Sequence, residues 1–193
     1  MNLKKILCCF VYVLAAVHAQ ASELSNKLQS TEYVLLMRHT LAPGVGDPAG
    51  YTLQDCKTQR NLSAEGRQQA GVVGDWLRQQ GVTSADVHSS AWCRCKDTAE
   101  LLKFNSFQIA PPLASFFDEM HLAKSRTQAL EQFIAAQLKT KGNKALILVT
   151  HHVNIHAFMG ENIASGDMVL ARVDARGKMR SYQLIARPSQ AQH

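Results

Sequence analysis

The sequence predicts a three-layer α/β domain whose sheet is mostly parallel. Two short, mostly apolar runs, residues 33–37 (YVLLM) and 145–150 (ALILVT), have the continuous hydrophobicity of strands buried on both faces of a sheet. Segments with the apolar periodicity of amphipathic helices lie between these runs. Strands that alternate with helices are typical of an α/β domain, which we expect to occupy residues 22–193.

The remaining elements follow from periodicity and terminal signals. The predicted helices lie between Ser63 and Gly81, over residues 91–103, and around residues 130–138. The remaining strands are predicted at residues 86–89, 168–174 and 179–185, the last two as a hairpin. The segments predicted to be irregular are residues 22–32, 41–61 and 104–124.

The first 21 residues have the layout of a secretory signal peptide. Lys4 and Lys5 precede an apolar stretch at residues 6–17, and Ala19-Gln20-Ala21 matches the A-x-A cleavage signal. The tripeptide at residues 17–19 offers a second cleavage site, two residues earlier. The apolar stretch is too short to cross a bilayer. We therefore expect a periplasmic protein that has no membrane span after processing.

Charge composition narrows the class of partner. The chain has 21 Lys and Arg against 15 Asp and Glu, and removing Lys4 and Lys5 leaves 19 against 15, a net charge of +4. The basic residues form no run and are not interleaved with aromatic residues, which argues against nucleic acid as a partner. A mildly basic surface suits a small anionic substrate.

Cationic and imidazole side chains follow three predicted strands at the point where each strand ends. Arg38 and His39 end the first strand, Arg94 follows the second, and His151 follows the strand at residues 145–150. The carboxyl ends of parallel strands meet at one edge of a sheet, so these side chains are expected to converge. Guanidinium groups match the geometry of phosphate oxygens, and a neutral imidazole has a lone pair that can attack phosphorus.

Other residues could complete such a site. Asp118 and Glu119 offer a carboxyl group that protonates a leaving oxygen. Arg60 could be a surface residue or an additional phosphate contact. His152 could take the place of His151. His152 and His156 also have a helical metal-ligand spacing, but no third ligand accompanies them, so we expect no metal and no cofactor.

Four motifs together resemble those of the histidine phosphatase superfamily, which has the phosphoglycerate mutase-like fold. They are Arg38-His39 after a buried strand, RNLSAEGRQQA (60–70), SSAWCRCKDTA (89–99) and VTHH (149–152). The resemblance covers about residues 33–160. It implies that His39 is the nucleophile, that Arg38, Arg94 and His151 bind the phosphoryl group, and that a carboxyl group is the general acid.

The sequence also departs from the family pattern. Thr40 replaces the glycine that usually follows the nucleophile, and Ala42 stands where the acid-phosphatase branch has a second arginine. Ser115 occupies the position at which mutases carry a glutamate. Shorter periplasmic relatives have an acid after a similar S-F-F segment, which favours Glu119 over Asp118 as the general acid.

Three cysteines remain after the predicted cleavage. In an oxidising compartment we expect a disulfide between Cys56 and Cys93, with Cys95 a free buried thiol. A Cys56–Cys95 bond and a C-x-C redox or zinc site are the alternatives. Outside the site, His88 and His121 are expected to be surface or loop residues. Trp76 and Trp92 are expected to be packing residues rather than substrate platforms.

The resemblance implies a secreted phosphatase that hydrolyses a phosphomonoester through a phosphohistidine intermediate on His39. The small periplasmic branch that acts on lipopolysaccharide core heptose phosphate makes an envelope glycan phosphate one expected substrate. Alternatives are a phosphohistidine protein phosphatase, since small members of the family act on proteins, and a catalytically silent phosphate-binding module.

Overall fold

A six-stranded sheet covered by helices on both faces forms the protein, in a computed structural model that describes residues 23–189. The strands are β1 (Tyr33–Arg38), β2 (Ala85–Ser89), β3 (Phe107–Ile109), β4 (Ala145–Thr150), β5 (Met168–Val173) and β6 (Met179–Ile185). The helices are α1 (residues 23–29), α2 (Ala64–Gln79), α3 (Cys93–Leu101), α4 (Ala123–Thr140) and α5 (His152–Met159). Single turns of 3-10 helix occur at Cys56–Thr58, Pro111–Leu113 and Met120–Leu122.

The sheet is mostly parallel, as the sequence predicts. Its strand order is β3-β2-β4-β1-β5-β6. The pairs β3–β2, β2–β4 and β4–β1 are parallel, whereas β5 and β6 add an antiparallel hairpin beside β1. Arg38 lies in register with Thr150, so the carboxyl ends of β1 and β4 are level with each other.

The two faces of the sheet pack against different helices. In β1, Leu35 and Met37 face the cluster that contains apolar residues of α1, α2 and α3. Val34 and Leu36 face the cluster that contains residues of α4 and α5. The alternation follows from the two-residue period of a strand, and it confirms the predicted three layers.

The connections that follow β1 and β4 run to opposite faces of the sheet. After β1 the next helix, α2, packs on one face, whereas α5 directly follows β4 and packs on the other. Adjacent parallel strands with such divergent connections leave a crevice beyond their carboxyl ends, where ligands bind in open α/β sheets. Arg38, His39 and His151 lie at that crevice.

Close packing holds the start of α2 beneath the end of β1. Ser63 Oγ accepts a hydrogen bond from the Gly66 amide at 3.0 Å, as expected of the predicted N-cap. A Cβ atom at Gly66 would lie 2.1 Å from the carbonyl oxygen of Leu41, so a side chain is excluded there. Glycine at this position therefore lets α2 contact the chain that leaves the site.

Three sequence expectations are corrected by the structure. Residues 23–29 form α1 instead of an irregular leader, because Leu24 and Leu28 share a helix face that packs on the core. The predicted irregular segment 104–124 contains the short strand β3. His88 is 5 % exposed rather than at the surface, since β2 is covered by α4 and the imidazole packs edge-on against Phe133.

The predicted signal peptide at residues 1–21 lies outside the described residues. Among residues 23–189, no helix combines the length and apolar character that crossing a membrane requires.

Candidate active site

His39 directly follows β1 and is held in one tautomer. Its side chain is 2 % exposed, and Nδ1 lies 2.8 Å from the carbonyl oxygen of Thr40. A carbonyl oxygen can only accept, so Nδ1 carries the proton and donates it. The lone pair is therefore on Nε2, the nitrogen that faces away from this backbone contact.

Burial and neighbouring cations keep the His39 imidazole neutral. Burial is the largest cause, the charge of Arg94 adds to it, and together with Arg60 and Arg38 they lower the pKa of His39 to about 3. The hydrogen bond to Thr40 opposes this shift without reversing it. A neutral imidazole with a free lone pair among cations can act as a nucleophile toward an anion.

His151 lies opposite His39 across the crevice. The two rings meet edge to face with centroids 5.6 Å apart. Arg94 Nη2 approaches His151 Nδ1 at 3.4 Å, and because a guanidinium group only donates, Nδ1 accepts and Nε2–H donates to Ser90 Oγ at 2.8 Å. Burial and then the charge of Arg94 hold the pKa of His151 well below its usual value.

Arg94 is bound by a carboxylate that sequence reasoning missed. Asp47 accepts from Arg94 Nη1 through both oxygens, at 2.8 and 3.1 Å, and the two side chains are only 5 % and 4 % exposed. Asp47 also accepts from Trp92 Nε1 at 3.1 Å and from the Arg60 amide at 2.9 Å. Burial by itself raises the pKa of Asp47, but these hydrogen bonds and the charge of Arg94 outweigh it and lower the pKa.

Trp92 belongs to the hydrophobic core, which confirms the prediction of a packing residue. Trp92 is 7 % exposed, as a packing residue would be, yet its indole also lines the cavity and meets His151 edge to face at 5.1 Å. The signal that could have found Asp47 is an acidic residue inside a long loop that is otherwise rich in glycine and proline.

The loop of residues 41–61 is also tied to the start of α3. A disulfide joins Cys56 to Cys93, which confirms the predicted pairing, and Cys95 is the buried free thiol. Gln59 Oε1 accepts from the Cys93 amide at 2.9 Å, in place of the side-chain cap that Trp92 does not provide. These contacts fix Arg94, the next residue, with respect to the loop.

The two alternative cysteine arrangements are wrong. Cys93 is in the disulfide, so it is not available for a C-x-C site with Cys95. Burial raises the pKa of the Cys95 thiol to about 12, which leaves it protonated and unreactive. No cluster of three residues able to bind a metal ion occurs within residues 23–189.

Thr40, which replaces the usual glycine, is accommodated inside the protein. It is fully buried, and its hydroxyl lies 3.1 Å from that of Thr98, which in turn donates to the Arg94 carbonyl at 2.7 Å. The Thr40 amide donates to the Thr98 hydroxyl at 3.2 Å. The substitution thus links the residue after His39 to the helix that carries Arg94.

Arg38 and Arg94 each have a buried guanidinium N–H group without a partner. The Nε atoms of Arg38 and Arg94 are buried without a hydrogen-bond partner, although Arg38 Nη1 donates to the Ile163 carbonyl at 2.8 Å. Unsatisfied buried donors are costly and rare, and cationic ones suit an anionic ligand. Arg60 lies in the same cavity, where its guanidinium donates to the carbonyl oxygens of Ala42 and Gly46.

The structure brings the sequence-predicted site residues to one cavity of about 400 Å³. Those that line it are Arg38, His39, Arg60, Arg94, Asp118, Glu119, His151 and His152. Asp118 and Glu119 are exposed at its mouth, whereas the arginines and the two central histidines form its base. His152 lies 2.5 Å from Asn162 Oδ1 through Nε2, so His151 and not His152 contacts Arg94.

Comparisons with known proteins agree with this fold and these motifs. Residues 34–127 match the sequence model of the histidine phosphatase superfamily (branch 1). No curated protein sequence matches the chain significantly.

Solved structures share the fold at low sequence identity. The protein histidine phosphatase SixA complexed with tungstate has a TM-score of 0.52 and 18% identity, covering 80% of this chain and 96% of its own. A mycobacterial glucosyl-3-phosphoglycerate phosphatase has a TM-score of 0.55 and 15% identity, covering 82% and 99%. A phosphoserine phosphatase of Entamoeba histolytica has a TM-score of 0.59 and 12% identity, covering 82% and 98%. Residues 34–127 are thus similar in sequence to the histidine phosphatase superfamily, and the chain shares its fold with these phosphatase structures.

Proposed function

We propose that this protein is a phosphomonoester hydrolase that acts through a phosphohistidine on His39. The observation that carries the proposal is the state of His39: a neutral, buried imidazole whose Nδ1–H donates to Thr40, which leaves Nε2 free to attack. Arg38 and Arg94 line the same cavity, where their guanidinium groups can bind phosphoryl oxygens.

The reaction balances in two steps. In the first, His39 Nε2 bonds to phosphorus while the P–O bond to the leaving group breaks, and Glu119 gives its proton to the departing oxygen. In the second, a water molecule gives a proton to Glu119 and attacks the phosphohistidine, which releases inorganic phosphate and neutral His39. Arg38 and Arg94 would stabilise charge on the phosphoryl oxygens in both steps. His151, whose Nε2–H donates to Ser90, would orient Arg94 through Nδ1.

The proposal includes the compartment and the substrate range expected from the sequence. The predicted signal peptide supports secretion to the periplasm, where an envelope glycan phosphate is a candidate substrate. Phosphohistidine protein phosphatase activity is the second candidate, supported by the fold shared with SixA, itself described as a protein histidine phosphatase.

Trapping the intermediate tests the proposal. The mature protein is mixed with labelled substrate and quenched, and the label is expected on histidine in an acid-labile form. His39→Ala should lose turnover and labelling, whereas His121→Ala, an exposed histidine outside the cavity lining, should keep both. Label on serine or cysteine, or turnover by His39→Ala, contradicts the mechanism. Stabilisation by vanadate without turnover or label would identify a silent phosphate-binding module instead.

Leaving-group dependence separates the two candidate acids. A phenolate leaves without a proton, whereas an alkoxide needs one, so loss of the true acid should spare aryl phosphates and slow alkyl phosphates. We expect this contrast for Glu119→Gln and a small effect for Asp118→Asn. The reverse pattern would assign the role to Asp118.

A further inference from the structure

The cavity has more room than a phosphoryl group fills. Its cations lie at the base, around His39, and its volume of about 400 Å³ falls in the range of pockets that enclose most of a small organic ligand. A phosphoryl group held by Arg38 and Arg94 would therefore leave the outer part of the cavity for the rest of the substrate.

Apolar side chains make up much of that outer part. Val45 is 85 % exposed and Phe117 is 46 % exposed, and both line the cavity. They belong to two segments that meet there, since a Cβ atom at Gly46 would be 3.8 Å from Phe117 Cε1. Tyr51 and Trp92 continue the surface inward, with ring centroids 6.1 Å apart. Exposed apolar side chains grouped at a cavity mouth mark a binding surface rather than packing.

The charges at the mouth have the opposite sign to those at the base. Asp118 and Glu119 are exposed beside Phe117, and Asp47 lies deeper and offsets Arg94. Burial and then the charges of Asp47 and Asp118 raise the pKa of Tyr51, which agrees with a ring that faces acidic groups. A second anionic group on the substrate would meet the Asp118 carboxylate there and be repelled, while Glu119 carries the proton that it gives to the leaving oxygen.

From this arrangement we infer that the mouth binds the leaving group of the substrate, and that this group is an uncharged apolar or aromatic one. The inference rests on the proposed hydrolase function and narrows it. As substrates, phosphate esters of apolar alcohols are then expected to be better than the glycan phosphate and better than phosphorylated carboxylic acids. Val45, Phe117, Tyr51 and Trp92 are then the residues that determine specificity.

A series of primary alkyl phosphates tests the inference, because their leaving alcohols are similarly basic. The substrates are 3-phenylpropyl phosphate, propyl phosphate, glucose 6-phosphate and the phosphate ester of 3-hydroxypropanoate. We expect kcat/KM for the phenylpropyl ester to exceed that for the propyl ester by about tenfold or more, the scale of selectivity in apolar pockets. The carboxylate ester should be poorer than the propyl ester. Equal values for the first two, or a preference for glucose 6-phosphate or the carboxylate, overturn the inference.

Variants locate the preference on the molecule. Phe117→Ala and Val45→Ser should each reduce the phenylpropyl-to-propyl ratio by several-fold, and both side chains are exposed enough for the variants to fold. Ile109→Ala is the matched control, because Ile109 is 47 % exposed but lies outside the cavity lining, and its ratio should equal that of wild type. A ratio unchanged by either mouth variant places the selectivity elsewhere and refutes the assignment.

A binding measurement separates this inference from the hydrolase function. Calorimetry with His39→Ala compares 3-phenylpropylphosphonate with propylphosphonate, neither of which requires turnover. Suppose that the phenyl compound binds more tightly but wild type hydrolyses no ester. This result would overturn the hydrolase proposal and support an apolar binding surface at the cavity mouth. If wild type hydrolyses the esters but both phosphonates bind equally well, the inference about the cavity mouth is overturned and the hydrolase proposal stands.

Discussion

Replacing Asp47 by asparagine removes the counter-charge of Arg94 while keeping the shape of the side chain. Both partners are almost completely buried, at 5 % and 4 % exposed, so Arg94 would be left as an uncompensated charge beside Arg38 and Arg60. Breaking a buried pair by removing one partner costs about 3–5 kcal/mol. Since asparagine retains one acceptor, we expect the free energy of unfolding to fall by about 3 kcal/mol, measured by urea denaturation.

Two further measurements identify the cause of that loss. Asp75→Asn is the control, because Asp75 pairs with Arg78 at an exposed site and should cost at most about 1 kcal/mol. Saturating inorganic phosphate should stabilise Asp47→Asn more than wild type, since the anion supplies the missing negative charge next to Arg94. Equal losses for the two variants, or equal stabilisation by phosphate, would refute the idea that Asp47 compensates Arg94.

The pH dependence of the difference gives a third check. Because the pKa of Asp47 is lowered on folding, the unfolded chain binds more protons in acid, and the contribution is complete above the usual value of 3.8. The stability difference between wild type and Asp47→Asn should therefore disappear as the pH falls through the lower pKa of the folded state.

Two other perturbations act on the same site. The lowered pKa of His39 means that stability falls as the pH drops from 6.5 toward about 3, by up to about 1.4 kcal/mol per pH unit for each such histidine. His39→Asn should flatten this dependence in thermal melts, whereas the exposed His156→Asn should not, and an unchanged slope in both contradicts the buried neutral imidazole. Reducing the Cys56–Cys93 disulfide, which closes a separation of 37 residues, should cost about 4 kcal/mol in the chain-entropy model. It should also raise KM more than it lowers kcat, and a fall in kcat alone would show that the loop does not hold the anion site.

The base of the site could be predicted because strand ends are visible in a sequence. The continuous apolar runs of β1 and β4 locate their carboxyl ends, and sheet topology then brings Arg38, His39 and His151 together. The same reasoning gave the three layers and the mostly parallel sheet. The roles of these residues in catalysis stay predictions.

Asp47 could not be predicted in this way. It lies in a loop without periodicity, and its partner Arg94 is separated from it by 47 positions. Only the fold of the loop over α3 brings the two together. His88 was misjudged for a related reason, because the burial of a polar residue in β2 depends on α4, which packs over it from another part of the chain.

The loop of residues 41–61 forms part of the cavity wall and is not only a connection. A loop of this length, in which a single turn of 3-10 helix is the regular structure, is costly to order, at about 1–2 kcal/mol for each backbone residue. Three ties to the start of α3 offset that cost: the disulfide at Cys93, the Gln59 bond to the Cys93 amide, and the Asp47 bonds to Arg94 and Trp92. All three meet within three consecutive residues, the middle of which precedes Arg94 directly. The contacts that order the loop therefore also hold the Arg94 guanidinium, which would bind phosphate. A change that disorders the loop should weaken anion binding, and bound anion should in turn order the loop.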